Sequence, residues 1–205
     1  MNRIDAIFSY INSKDKVVDV GCDQAKLSLL LASRNQSSIA SDISNKVIEK
    51  AKRNINNPLI DLRVSNGLEN IQEGEADTLV LSGMGTHTII EILSNTKLRF
   101  NKIITISNNY HDILRDKMND LGYMVDSEEI VKENNKYYNL IVFKEGNYNY
   151  NEIELLLGMN HKNIDMYHEY LNFLLNKYKV IKKESKNKNS KINKLIELIE
   201  TTLNK

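Results

Sequence analysis

The sequence predicts an α/β protein: a doubly wound sheet of five parallel strands, a closing β-hairpin, and a small helical segment at the C-terminal end. Three observations predict it. β-Branched runs alternate with helical patterns from residue 16 to residue 121. Two strands then follow one another with no helix between them, and strand patterns stop after residue 150. At 205 residues, 41% hydrophobic and 27% charged, the chain suits one sizeable α/β domain with an appendage, not two full domains.

The helix Asn2–Ile11 comes first, with Ile4, Ile7, Phe8 and Ile11 on one face. Lys16–Gly21 (KVVDVG) is a β-branched run ended by glycine, as expected of a buried parallel strand. Ala25–Arg34 has helical character. Ile39–Asp42 is a short strand, and Ser44 offers an N-cap to the helix Asn45–Asn56. Ile60–Val64 is the third strand. Asp77–Ser82 is the fourth, running into Gly83-Met84-Gly85 and the helix Thr86–Ser94. Lys102–Ser107 is the fifth, followed by the helix Tyr110–Leu121 and a glycine stop at Gly122. Tyr123–Val131 and Lys136–Lys144 form a hairpin across the polar turn Glu133-Asn134-Asn135. Beyond it, Ile153–Leu157 and Tyr167–Lys183 read as helices, the second with the stripe Tyr167, Tyr170, Leu171, Leu174 and Tyr178. Ser185–Ser190 is a polar turn, and Lys191–Leu203 carries Ile192, Leu195, Ile196 and Ile199 on one side. Two such helices pack as a coiled-coil-like hairpin. The expected domains are residues 1–148 and residues 149–205.

Composition narrows the function classes. Cys22 is the one cysteine, so no internal disulfide forms and a reducing compartment is expected. The N-terminal stretch has no apolar leader, and no apolar run is long enough to span a membrane, so a cytoplasmic protein is expected. The four histidines, at positions 87, 111, 161 and 168, have no metal-ligand spacing, so no metal is expected. Asn, Lys and Ile are abundant and tryptophan is absent, a bias of AT-rich coding that discounts single Asn and Lys residues as functional signals. Charge is +1 overall but unevenly placed. Residues 176–205 hold nine lysines against three glutamates, so a basic tail follows a mildly acidic body. That tail is either a phosphate-binding surface or a solvated helix pair.

The chemistry lies at the predicted carboxyl ends of the strands, where open α/β sheets bind ligands. The first loop reads Asp19-Val20-Gly21-Cys22-Asp23-Gln24-Ala25, and its glycine lets backbone approach a ligand. Asp42 closes the second strand, where a carboxylate can accept both hydroxyls of an adenosine ribose. Asp23 and Ala25 stand where a dinucleotide fingerprint needs its second and third glycines. A carboxylate there repels a pyrophosphate but tolerates a sulfonium cation, which favours S-adenosylmethionine over a nicotinamide dinucleotide. Asp23 is alternatively a helix N-cap. Ser65-Asn66-Gly67-Leu68 follows the third strand, where adenine contacts are expected, and Ser82-Gly83-Met84-Gly85 follows the fourth, beside the expected methyl group. Five right-handed crossovers closed by a hairpin describe the methyltransferase variant of the doubly wound sheet. No serine-nucleophile motif or phosphate-binding loop occurs.

Together these residues resemble the bacterial tRNA (adenine-22, N1)-methyltransferase family (TrmK-type) over nearly the whole chain. The family's first loop, approximately D-I-G-S-D-H-A-Y-L-P, is matched by Asp19-Val20-Gly21-Cys22-Asp23-Gln24-Ala25-Lys26-Leu27-Ser28. Its G-M-G-G appears as Gly83-Met84-Gly85-Thr86, its L-R…L…G-Y as Leu114-Arg115, Leu121 and Gly122-Tyr123, and its K-Y-Y as Lys136-Tyr137-Tyr138. Gln24 departs from the usual histidine, Thr86 from the last glycine, and Ser107-Asn108-Asn109 from Q-P-N.

The resemblance implies a Rossmann-like class I methyltransferase with a helical, coiled-coil-like C-terminal domain. It implies S-adenosylmethionine as cofactor and tRNA as partner, with a monomeric chain. Asp23 is then the catalytic aspartate. Asp19, Gly21, Cys22, Asp42, Ile43, Asn66, Gly67, Ser82, Gly83 and Met84 are expected to hold the cofactor. Gln24, Gly85, Thr86, Asn108, Asn109, Arg115, Tyr137, Lys182, Lys183 and Lys186 are expected to hold the substrate. A methyltransferase for another RNA or a protein, and a non-catalytic RNA-binding protein on the same fold, are the alternatives.

Overall fold

The computed structural model describes residues 1–184 and 190–204. Its elements in chain order are α1 (Arg3–Ser9), β1 (Val17–Val20), α2 (Lys26–Ser33), β2 (Ser38–Asp42), α3 (Asn45–Asn54) and β3 (Ile60–Val64). β4 (Thr78–Met84), α4 (Thr86–Ser94), β5 (Lys102–Ser107), α5 (His111–Asp120), β6 (Tyr123–Glu133) and β7 (Lys136–Glu145) follow. The chain ends in α6 (Glu152–Leu157), α7 (Ile164–Glu184) and α8 (Ser190–Leu203). The seven strands form one sheet in the order β3-β2-β1-β4-β5-β7-β6. β1 to β5 pair in parallel, and β7 alone runs against its neighbours.

The sheet is covered on both faces, and the two-residue period of its strands divides the core in two. Val18, Val20, Leu79, Leu81, Ile103, Ile141 and Phe143 point to one side, where they meet Ile89 and Leu93 of α4 and Leu114 and Met118 of α5. Val17, Val80, Ile104, Ile106, Leu140 and Val142 point to the other, against Ala6 and Ile7 of α1 and Leu27 and Leu31 of α2. All four β1 residues are buried, as a central strand requires, and one of them is a carboxylate, Asp19.

The predicted boundaries hold with local differences that have physical causes. Asn2 is the N-cap of α1, its side chain accepting from the Asp5 amide, so the helix starts one residue later than expected. Ser44 caps α3 by accepting from the Val47 amide. β4 extends past Ser82 to Met84 through a bulge at Gly83, which has φ +82°. The hairpin turn is the pair Asn134-Asn135, both with positive φ, so β6 runs on through Glu133. Four of the five crossovers carry an α-helix; β3 and β4 are joined by turns across residues 65–77.

The helical segment packs on the hairpin. Tyr167 and Leu171 of α7 and Ile199 of α8 share a cluster with Ile130 of β6 and Leu157 of α6. The stripe expected on α7 faces this cluster throughout, from Tyr167 to Tyr178. Of the predicted turn Ser185–Ser190, residues 185–189 lie outside the described residues, and Ser190 is already the first residue of α8.

Arg115 corrects one expectation. Instead of facing a substrate, its side chain is 1% exposed and forms a double contact with Glu128, at 2.8 Å and 2.6 Å. A third donor reaches the Leu155 carbonyl at 2.6 Å. Residue 115 lies on the α5 face shared by Leu114 and Met118, so helical geometry turns it inward.

Candidate active site

The carboxyl ends of β1, β2 and β4 surround two adjoining cavities that meet at Gly21. One, of about 470 Å³, is lined by Asp42, Ile43, Asn66, Gly67 and Met84. The other, of about 740 Å³, is lined by Asp19, Cys22, Asp23, Gln24, Ser82 and Gly83, with Arg3 of α1 and Glu133-Asn134 of the hairpin on its far wall. The nine expected cofactor residues besides the shared Gly21 thus divide between the two. Strand pleating explains the division, since Val20 and Asp19 point to opposite faces of the sheet.

Gly21 is required by its backbone. Its φ of +79° lies in the left-handed region, and a Cβ there would also press on the mobile end of Met84, 2.8 Å from its Cε. The amides of Gly21 and Cys22 both donate to the Ser41 carbonyl, at 2.8 Å and 3.0 Å, which fixes the loop to β2. Asp42 accepts from the Ser44 amide at 2.9 Å, so the same short connection orients its carboxylate. Asn66-Gly67 is held by Ser65, whose hydroxyl donates to the Gly67 carbonyl at 2.9 Å and accepts from the Asn70 amide at 3.1 Å.

The electrostatics call for a cation. Asp19 is buried, and among the described residues no donor or cation pairs with it. Burial and then the nearby Asp42 carboxylate push its pKa up to about 7. Burial, followed by Asp19 and Asp42, pushes the Cys22 thiol up to about 12, so this cysteine is a packing residue and not a nucleophile. A buried carboxylate beside a second one, in a cleft that opens to solvent, is stabilised by a positively charged ligand.

Asp23 and Gln24 are exposed at the cavity rim. The N-cap of α2 is Ala25, with φ 51° and no side-chain capping bond, so capping does not account for Asp23. Asp23 itself has φ 45°. Such backbone in non-glycine residues is uncommon and persists where the surroundings impose it.

The β4–α4 and β5–α5 loops are tied together. The Asn108 amide donates to the Met84 carbonyl at 3.1 Å, and its side chain donates to the Gly83 carbonyl at 3.2 Å. Thr86 is fully buried, and its hydroxyl donates to the Asn109 carbonyl. Asn109 returns a side-chain oxygen to the Thr86 amide at 3.4 Å. Thr86 is therefore a correction: it shapes the loop and offers nothing to a substrate. Asn109 is exposed, but its side-chain oxygen is engaged in the same tie. Gly85 is the N-cap of α4, with extended backbone.

Tyr137 is also placed otherwise than expected. It is half-buried under α7, its hydroxyl donating to Glu169 at 2.7 Å and its ring against Tyr170 and Phe173. Lys182 and Lys183 are exposed on the last turn of α7. Lys186 lies outside the described residues. Sequence reasoning missed Arg3, which lines the second cavity. Arg3 reaches the second cavity because its backbone and guanidinium both bond Glu133 at the hairpin tip, at 3.3 Å and 2.7 Å. Among the described residues no His, Cys, Asp or Glu cluster could hold a metal ion. No described helix is long and apolar enough to cross a membrane.

Comparison with known proteins agrees with this geometry. Residues 1–141 match the family model described as a methyltransferase domain, so fold and cleft together define a methyltransferase-domain protein. The tRNA (adenine(22)-N(1))-methyltransferase of Bacillus subtilis (strain 168) is 30% identical over 168 residues, covering 77% of this chain and 71% of that protein. The structure of M. capricolum TrmK with the cofactor product S-adenosyl-homocysteine has a TM-score of 0.83 at 26% identity, over 100% of this chain and 97% of that one. A Streptococcus agalactiae protein of the NADB-Rossmann superfamily has a TM-score of 0.88 at 25% identity, over 99% and 96%. The chain belongs to the tRNA (adenine(22)-N(1))-methyltransferase family.

Proposed function

We propose that this protein transfers a methyl group from S-adenosylmethionine to N1 of adenine 22 in tRNA. The observation that carries the reading is the unpaired, buried Asp19 next to Asp42 at the mouth of a glycine-hinged cleft. Those residues fit the cofactor. Asp19 would take its ammonium or sulfonium charge, and Asp42 would accept its ribose hydroxyls. Ile43, 69% exposed beside Asp42, and the Asn66-Gly67 loop would border the adenine. When bound, S-adenosylmethionine supplies an electrophilic methyl group carried on a sulfonium.

The chain's own part is positional. N1 of neutral adenine has a free lone pair, so no proton need be removed from it, and holding the base in line at about 3–3.5 Å supplies much of the acceleration. Asp23, exposed at the cavity rim, would accept a hydrogen bond from the adenine amino group and favour the positive charge that develops on the ring. Because N1 lies on the Watson–Crick edge, the target base must be extruded from the tRNA fold.

Residues 1–148 would then form the catalytic unit and residues 149–205 a tRNA-holding unit, in a cytoplasmic monomer. Lys182 and Lys183 would contact phosphates. α7 runs alongside β6 toward the carboxyl edge of the sheet, since Glu169 meets Lys132, Phe173 meets Tyr137, and Tyr178 lies in electrostatic reach of Asp112 at the start of α5. From Phe173 to Glu184 it continues for roughly 16 Å more at 1.5 Å per residue. This course supports a basic end of α7 on the same edge as the cleft.

The test is incubation with labelled S-adenosylmethionine and unmodified tRNA, followed by digestion to nucleosides. Label is expected in 1-methyladenosine. Asp23→Asn is expected to bind the cofactor as the wild type does while turnover falls by about 100-fold. Full turnover in that variant would remove Asp23 from the mechanism.

A further inference from the structure

We infer that Tyr110 is the platform on which the extruded target adenine stacks, an inference that rests on the function proposed above. Tyr110 has φ 50° and ψ 50°, a left-handed conformation that a bulky L residue adopts only under constraint. The constraint is visible in the bonds around it. Ser107 donates its hydroxyl to the Asn109 carbonyl at 3.2 Å, and the Thr86 hydroxyl also reaches toward the Tyr110 carbonyl at 3.4 Å. Asn108 ties the same loop to Gly83 and Met84.

This apparatus does not bury the ring. Tyr110 is 53% exposed, and among the described residues its one ring neighbour is His87, at 5.8 Å and tilted by 50°. A side chain held in an unfavourable backbone conformation normally repays it by packing, and here it does not. Backbone strain of this kind, in a loop tied to Gly83 and Met84 of the cavity walls, is a mark of function. An exposed aromatic face beside the loop expected to flank the methyl group suits a flat heterocycle. Unpaired RNA bases are held by stacking on such rings. Asp23 would engage the edge of the adenine, which leaves its face to be held by another group. Tyr178 of α7 lies near Asp112, two residues on from Tyr110, so RNA held by the basic end of α7 would pass beside this ring.

The test compares Tyr110→Asn, which tolerates left-handed backbone, with Tyr110→Phe, which keeps the ring. Tyr110→Phe is expected to retain kcat/KM for tRNA within about threefold, and Tyr110→Asn to lose about 10- to 100-fold. Thermal stability of Tyr110→Asn should equal or exceed that of the wild type, and S-adenosylmethionine affinity should be unchanged in both. With 2-aminopurine at position 22, the wild-type complex should be dimmer than the Tyr110→Asn complex, because stacking on the ring quenches the extruded base. Wild-type activity in Tyr110→Asn, or equal brightness in the two complexes, would overturn the platform alone. A wild-type protein that binds S-adenosylmethionine but leaves tRNA unmethylated would overturn the function and the platform with it.

Discussion

At the scale of single residues, Asp19 carries the most consequence. Its burial follows from its place inside the buried strand β1, but its lack of a partner was not legible, because that depends on which groups the neighbouring strands bring near it. Burial and Asp42 raise its pKa to about 7, so it is largely protonated at mildly acid pH. A positively charged ligand favours the ionised form. Affinity for S-adenosylmethionine should therefore tighten as pH rises from about 6 to about 8, by up to tenfold per unit below the folded value. Calorimetry across that range checks this, and Asp19→Asn should flatten the profile. The cofactor-free protein should show the opposite trend in stability. With the folded value raised, the stabilising contribution is complete below about 4 and is lost as pH rises through about 7. Two residues mark the limit of reading motifs. Thr86 and Arg115 stand inside matched motifs, yet both side chains turn inward. Motif position tells which element a residue occupies, and packing decides where its side chain points.

At the scale of elements, boundaries set by local backbone rules were legible. Ser44 before α3 and the Asn pair between β6 and β7 act through side-chain caps and left-handed turns that need no tertiary context. The docking of the helical segment was not legible, because it depends on Glu128, a charge in the middle of a strand. Glu128 is 1% exposed, pairs with Arg115 and also accepts from the Met159 amide at 3.1 Å, joining β6, α5 and the segment before α7. Gly158 makes room for the pair. Its φ is +89°, and a Cβ there would lie 2.6 Å from Glu128 Oε2. Arg115→Ala leaves that carboxylate buried and unpaired and should cost about 3–5 kcal/mol by denaturant unfolding. Were Arg115 a substrate contact, the variant would keep its stability and lose only tRNA affinity.

At the scale of the whole molecule, the proposed division of labour rests on charge. The body is mildly acidic and the C-terminal segment basic, and α7 packs along β6 toward the hairpin tip, where Glu169 meets Lys132 and Phe173 meets Tyr137. Binding of tRNA should weaken with salt, each phosphate contact contributing a slope of about 0.7–0.9 in log K against log salt. The double charge reversal Lys182→Glu with Lys183→Glu should lower that slope by about two and raise KM for tRNA, with cofactor affinity unchanged. An unchanged slope would take these two lysines out of the interface. In the candidate site, the strand-end positions Gly21, Asp42 and Gly83 were the more legible ones, since backbone geometry there dictates residue type. The substrate half depends on how loops lean on each other, as the tie between Thr86 and Asn109 shows.

The central claim is most directly tested by methyl transfer from labelled S-adenosylmethionine to two unmodified tRNA transcripts that differ only in carrying adenine or guanine at position 22. Label on the adenine transcript alone is the predicted result and would establish reaction and site together. Equal label on both transcripts, or none on either with cofactor binding intact, would contradict the assignment.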